Sequence, residues 1–412
     1  MQITSIEAIP IEGGWYVDDK PAFIAGGKVD HYLVTGQPRT PGFRRIREPG
    51  EAVSILIRLD DGTTVAGEGG SVTYAGIAGR DPVFRAAQAV AAADRHIAPT
   101  FTGAALDSFR DLEATLRQLH ADRGPFHTGL LYAASQALLQ AVAAAGRRTV
   151  AEVIAHEYGL TIARQNPRIG VQTGDDRYSG VDKALYRRVD AFPHGLIKSV
   201  ETDFGPRGEK LLAYAEWIMR RLTRHEVPDD YRPIIHFDCY GTIGRAFNDD
   251  IGTMTDYIAR LADTVKPLQL QIEAPVEADT RAHQLRLMTQ LRAALTQLPA
   301  PVPQLVADEW CNTLADVELF AQSGAADLVQ IKMPDLGCLG DSIAAVMLCH
   351  RHGVGAYLGG SCNETDISAR IAVHVAVATG AEQILARPGM GIDEAVSIMR
   401  NELARLRAAL HR

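Results

Sequence analysis

A closed parallel barrel of eight β/α units, preceded by a smaller α+β cap, is the architecture this sequence predicts. Three observations carry it. From Pro167 onward, short apolar runs alternate with amphipathic helical stretches. Eight such runs fit into about 220 residues, the density of a closed (β/α)8 TIM-like barrel more than of an open doubly wound sheet. No glycine-rich GxGxxG follows the first run, which disfavours a dinucleotide fold.

The cap is read over residues 1–165. Residues 52–59 form a strand rich in β-branched side chains, Asp61-Gly62 signals a hairpin, and 63–66 begin the return strand. Helical stretches follow at 83–96, 104–119 and 128–145, the last rich in Ala and Leu and so suited to packing against something large. The barrel is read over 166–412. Its strands are expected at 168–172, 195–200, 234–240, 268–275, 304–310, 328–334, 355–361 and 383–388, with helices at 210–225, 254–265, 281–298, 314–323 and 341–352 among them.

Composition narrows the function classes. Of the 412 residues 46% are apolar and 22% charged, enough for a sizeable core. The net charge of −8 argues against a nucleic-acid partner, which needs clustered Lys and Arg. Arg44, Arg45 and Arg47 are the densest basic run and read as a solvated loop. Five scattered cysteines with no CxxC fit a reduced compartment. The opening Met1-Gln2-Ile3-Thr4-Ser5 lacks the layout of a signal peptide, and no stretch reaches ~18 consecutive apolar residues. A cytoplasmic enzyme with no membrane span is therefore expected.

The chemistry is written at the strand ends. The third strand ends in His236-Phe237-Asp238, the fourth in Gln271-Ile272-Glu273, and the fifth in Ala307-Asp308-Glu309. Thirty-five residues separate Asp238 from Glu273, and again Glu273 from Asp308. One acid alone is most simply a solvated strand end or a helix cap. Three at matching places in successive units point to the catalytic face of a barrel. Converging anions repel unless a cation stands between them, and all-oxygen ligation suits Mg2+ before zinc. Glu309, adjacent to Asp308, competes with it; alternation along a strand lets only one of the two face inward.

The sixth strand adds Gln330 and Lys332 on one face. An inward lysine beside a metal has a natural role as general base, since burial and a nearby cation both lower its pKa. A structural ion pair with one of the acids is the competing reading. His194, just before the predicted second strand, lies across the barrel and is placed to act as acid or base on the opposite face of a substrate. This set suits removal of a proton next to a carboxylate, with elimination, racemisation and rearrangement all open.

These residues resemble the enolase superfamily and, within it, the 3-methylaspartate ammonia-lyase family. The resemblance runs along most of the chain. Its specific pieces are the stretches 172–178, 236–244, 305–313, 329–332, 362–365 and 388–391. It implies a magnesium site of Asp238, Glu273 and Asp308, with Lys332 taking the C3 proton of a small amino-acid substrate. Ammonia would then leave C2 to give mesaconate. His194 would serve the other C3 epimer, and Gln172, Gln330, Ser361 and Cys362 would hold the substrate. A homodimer and activation by potassium are implied as well. The family has Ala-Val-Gln-Tyr where this chain reads Ser71-Val72-Thr73-Tyr74, so Thr73 replaces a substrate-contacting glutamine; Ser361 likewise stands for a threonine. Lys198 is read as structural or surface. The alternatives are a lyase, racemase or dehydratase acting on another β-substituted aspartate or carboxylate, and a non-catalytic binding protein.

Overall fold

The computed structural model describes residues 1–412 except 31–32, 175, 225–226, 229, 361–362, 387–390 and 412, and leaves out the side chains at 24 and 29. Its N-terminal part is a three-stranded antiparallel sheet of Ile3–Asp18, Arg47–Leu59 and Thr64–Gly70, in that order. The predicted Asp61-Gly62 turn joins the last two. Gly62 sits at φ 88°, and the Asp61 carboxylate accepts from the Thr63 N–H at 2.9 Å. The sequence reading contains no strand over Ile3–Asp18. Pro10 and the Gly13-Gly14 pair break its β-rich pattern, and the register shifts between Glu12 and Tyr16.

Three helical stretches complete the cap, two of them against this sheet. Thr128–Ala145 has the bounds read from the sequence. The stretch expected at 104–119 forms later, as Phe109–Arg123, because Ser108 caps it by accepting from the Asp111 N–H at 3.2 Å. The stretch expected at 83–96 starts at Ala86 and continues through a π turn, Ala93–Ile97, to Phe101. Thr128–Ala145 is long and apolar enough to cross a membrane, yet 78% of it is buried inside the protein. It presses so close to the sheet that a Cβ on Gly67 would lie 2.1 Å from the Ala133 carbonyl oxygen, an approach only glycine permits.

The second part is the predicted closed barrel of eight parallel strands. In chain order they are Arg168–Val171, Ala191–His194, Ile234–Asp238, Leu270–Glu273, Gln304–Ala307, Leu328–Lys332, Gly355–Gly359 and Gln383–Ala386. Val306, Leu328, Tyr357 and Leu385 form a separate apolar cluster. The predicted ends at Ser361, Pro388 and His225 lie outside the described residues.

One strand is misplaced in the sequence reading. The second runs over Ala191–His194, not 195–200. It is a short apolar piece containing Pro193, which has no N–H for a ladder and so reads poorly as a strand. The apolar run after it cannot extend the strand, because His194, Gly195 and Leu196 have φ of 62°, 81° and 46° and turn the chain away. His194 therefore ends the second strand instead of preceding it, and Lys198 lies beyond it, its ammonium 5.9 Å from the Tyr240 ring.

Candidate active site

Each expected side chain is delivered by a strand end. Asp238 and Glu273 close the third and fourth strands and face each other in register. Asp308 follows the fifth strand, and Lys332 closes the sixth. After each acid the backbone is forced left-handed, at Tyr240 (φ 46°), Ala274 (φ 45°) and Trp310 (φ 66°). Such strained turns at non-glycine residues cost energy and cluster where function fixes geometry. His194 closes the second strand, so it and Lys332 come from strands four apart in an eight-stranded ring.

Thr73, Gln172, His194, Asp238, Glu273, Asp308, Gln330 and Lys332 line one cleft. Ser361 and Cys362 lie outside the described residues, although Gly360 is in the lining. Tyr74 and Arg80 reach the cleft from the cap, and Tyr240 and Leu385 from the barrel. Gln330 donates to Glu273, and Gly359 makes room for it, since a Cβ there would meet the Gln330 amide at 2.5 Å.

The three acids are buried, at 2%, 0% and 6% exposure for Asp238, Glu273 and Asp308. Burial, then repulsion from Glu273 and Asp308, pushes the Asp238 carboxyl well above its ordinary range. Burial and Asp308 do the same to Glu273. Buried carboxylates that raise one another's pKa are a donor set asking for a hard cation, and magnesium fits. His194, His236 and Glu273 also bring ligand atoms within 4.8 Å of one another. That group shares Glu273 with the acids, but a hard ion selects the carboxylates over the imidazoles.

His236 supports Glu273 from below. Its Nε2 lies 2.8 Å from the Glu273 carboxylate and its Nδ1 2.9 Å from the Gln271 carbonyl oxygen. The His194 ring stacks on it at 4.9 Å, and neither His194 nitrogen has a hydrogen-bond partner. Burial, then His236 and Lys332, hold the His194 pKa well below the ordinary imidazole range. A neutral imidazole keeps one nitrogen able to accept a proton, and the two His194 nitrogens lie 3.8 Å from Asp238 and 3.5 Å from Glu273.

The sequence expects a lowered Lys332 pKa beside a bound cation; the protein's own groups, taken alone, act the other way. Burial disfavours its ammonium, but Asp308, in direct contact, with Glu309 and Asp335 beyond, outweighs burial and raises it. Glu309 is not excluded from the cleft by Asp308. The strand stops at Ala307, so alternation no longer applies, and both acids line the cleft. They differ in partner: Asp308 meets Lys332, whereas Glu309 pairs with Arg80 at 3.2 Å. Burial opposes ionisation of Glu309, but Arg80 and the nearby lysines pull its pKa down to about 2. Arg80 and His236 are the site residues that sequence reasoning missed. His236 carried a signal, two residues before Asp238 and so on its face of the strand. Arg80 carried none.

Comparison with known proteins agrees along the whole length. The family model described as methylaspartate ammonia-lyase N-terminus matches residues 1–159, and its C-terminus counterpart matches 161–412. Methylaspartate ammonia-lyase 1 of Carboxydothermus hydrogenoformans is 44% identical over 100% of this chain and 98% of its own. The magnesium complex of β-methylaspartase from Clostridium tetanomorphum is 41% identical, covers 100% of both chains and superposes with a TM-score of 0.95. The Citrobacter amalonaticus methylaspartate ammonia-lyase containing (2S,3S)-3-methylaspartic acid is 40% identical, with a TM-score of 0.97 and full coverage of both chains. Muconate lactonizing enzyme from Pseudomonas putida, 18% identical with a TM-score of 0.59, shares the fold, over 92% of this chain and 85% of its own.

Proposed function

The chain belongs to the methylaspartate ammonia-lyase family, and from that premise we propose how its residues divide the work. It is a magnesium-dependent carbon–nitrogen lyase that eliminates ammonia from 3-methylaspartate. The observation that supports the division of roles is the opposition of two proton-accepting side chains, Lys332 and His194, across three buried acids.

Asp238, Glu273 and Asp308 would hold the magnesium, which would supply positive charge against the substrate carboxylate whose charge grows as the C3 proton leaves. Lys332, buried beside Asp308, takes the C3 proton on Nζ as the neutral amine. The electron pair left at C3 forms the C2–C3 double bond of mesaconate as the C2–N bond breaks and ammonia departs. His194 removes the proton from the opposite face and so serves the other C3 epimer. Gln172, Gln330 and Thr73 orient the substrate, and the family resemblance adds Ser361 and Cys362 to that task. Thr73 favours a second reading, a lyase for an aspartate with a different C3 substituent, because a short hydroxyl leaves space that glutamine would fill.

The family resemblance supports a homodimer activated by potassium. Light scattering, and replacement of potassium by sodium in the assay, check both. A cytoplasmic location is supported by Cys239, Cys311, Cys338 and Cys349, all free and buried. The cap is read as 1–165 and the barrel as 166–412, a division supported by the connector between Tyr158 and Arg168.

The deciding experiment supplies (2S,3S)-3-methylaspartate, magnesium and potassium, and follows the ultraviolet absorbance of the conjugated product. A rise that a chelator abolishes is expected. No rise, with magnesium still bound, would move the substrate to another β-substituted aspartate.

A further inference from the structure

Arg80 stands at the seam between cap and barrel. It closes a tight turn in which the Gly76 N–H donates to the Asp81 carbonyl at 2.7 Å and the Arg80 N–H to the Ile77 carbonyl at 3.0 Å. The barrel grips that turn, since the Asn312 amide donates to the Ala78 carbonyl at 2.6 Å. The Arg80 side chain, only 2% exposed, enters the cleft and forks. Its Nε lies 2.9 Å from Asp335, and its Nη1 3.2 Å from Glu309.

Both partners are neighbours of the catalytic pair. Glu309 follows Asp308 in the chain. Asp335 lies in the one-turn helix Met333–Leu336, which starts immediately after Lys332. The contact between Lys332 and Asp308 is thus flanked by two further buried acids, and both attract the Lys332 ammonium. A lysine head on a flexible four-carbon stem settles on whichever anion is nearest and free. A planar guanidinium can hold two carboxylates at once, and a single ammonium cannot do so with the same geometry.

Resting on the assignment of Lys332 as the base, we propose that Arg80 is a positioning residue. By occupying Glu309 and Asp335 it denies both to Lys332 and keeps that side chain directed at Asp308 and the substrate's C3. In this assignment Arg80 acts through the two acids and not on the substrate. It also makes the base depend on the cap, because the group that aims Lys332 arrives from the other half of the chain.

The test compares Arg80→Met, Arg80→Lys and the double variant Arg80→Met/Asp335→Asn in the full-length, magnesium-loaded enzyme. Turnover is measured on both C3 epimers of 3-methylaspartate. Displacing a reacting group by about 1 Å can cost about 100-fold, so Arg80→Met should lower kcat on the Lys332-served epimer by about that factor, with KM within about threefold. The His194-served epimer should lose less than about fivefold, and Arg80→Lys should fall between wild type and Arg80→Met. Removing Asp335, the nearer of the two freed acids, as well should return about tenfold of the lost kcat, a coupling of the size expected for residues in one network. Equal losses on both epimers, or no recovery in the double variant, would overturn the proposal. If near-ultraviolet circular dichroism shows Arg80→Met unfolded, Arg80→Lys with and without Asp335→Asn carries the same comparison. Lys332→Ala separates the premise from the inference: retained turnover of its epimer removes lysine as base and the proposal with it.

Discussion

At the scale of single residues, the site is a competition for charge. Asp308 and Glu309 are adjacent, buried and both in the cleft, yet one meets a lysine and the other an arginine. Asp308 should be a metal ligand, while Glu309 is already neutralised by Arg80. Asp308→Asn is expected to weaken magnesium binding by more than about 100-fold, and Glu309→Gln by less than about tenfold, because only the first removes an anionic donor from the ion itself. Titration calorimetry ranks them, and the reverse order would move the ligand to Glu309. Lys332→Ala is expected to abolish hydrogen exchange at C3 of its epimer while leaving magnesium affinity within about threefold. Isotope wash-in followed by NMR reads it. The acids were legible in the sequence because each occupies the same place in a repeating unit. Arg80 was not, since its partner Asp335 lies 255 positions away and nothing local marks a loop arginine as buried.

At the scale of elements, most helices and seven of the eight barrel strands could be placed from hydrophobic period and breakers, with ends off by a few residues. The failures have physical causes. A strand of four residues containing a proline loses, on paper, to the longer apolar run beside it. A 16-residue strand interrupted by glycines lacks the clean alternation that would reveal it. Ion pairs that lock neighbouring elements were also invisible. Glu402, on the last helix, Ile392–Leu410, accepts from His374 (3.1 Å) and Arg370 (3.1 Å) of the helix Asp366–Thr379, and from Arg405 of its own. The His374 contact, ahead of the arginines, pulls its pKa to about 2 from an ordinary 4.5. A carboxyl with a depressed native pKa stabilises the fold fully above its unfolded value and loses that contribution as pH falls through the native one. The clasp should therefore weaken between pH 4.5 and about 2. At a partly solvated site this amounts to roughly 1–2 kcal/mol. Glu402→Gln is expected to lower stability at pH 7 and to flatten that part of the stability–pH curve; chemical denaturation at several pH values measures both.

For the whole molecule, the proposed magnesium site would make stability depend on the ion. A ligand that binds the native state alone adds about 2.7 kcal/mol at a hundredfold excess over its Kd. Magnesium is expected to raise the unfolding temperature by a few degrees, chelator to reverse this, and Asp308→Asn to respond to neither. A scan of unfolding temperature against magnesium concentration checks it, and an equal response of the variant would remove Asp308 from the site. The fold class itself was readable because eight β/α units in so short a span leave few other ways to cover their apolar faces.

The shared lining of the cleft has one more consequence. Thr73, Tyr74 and Arg80 come from before the connector that joins Tyr158 to Arg168, and every acid of the site comes from after it. The barrel half carries the acids, Lys332 and His194, and the cap half completes the lining around them. If the chain were severed in that connector and the two pieces were made separately, turnover would return only when they found each other. The enzyme would then serve as its own reporter for fragment complementation, its product signal counting reassembled pairs.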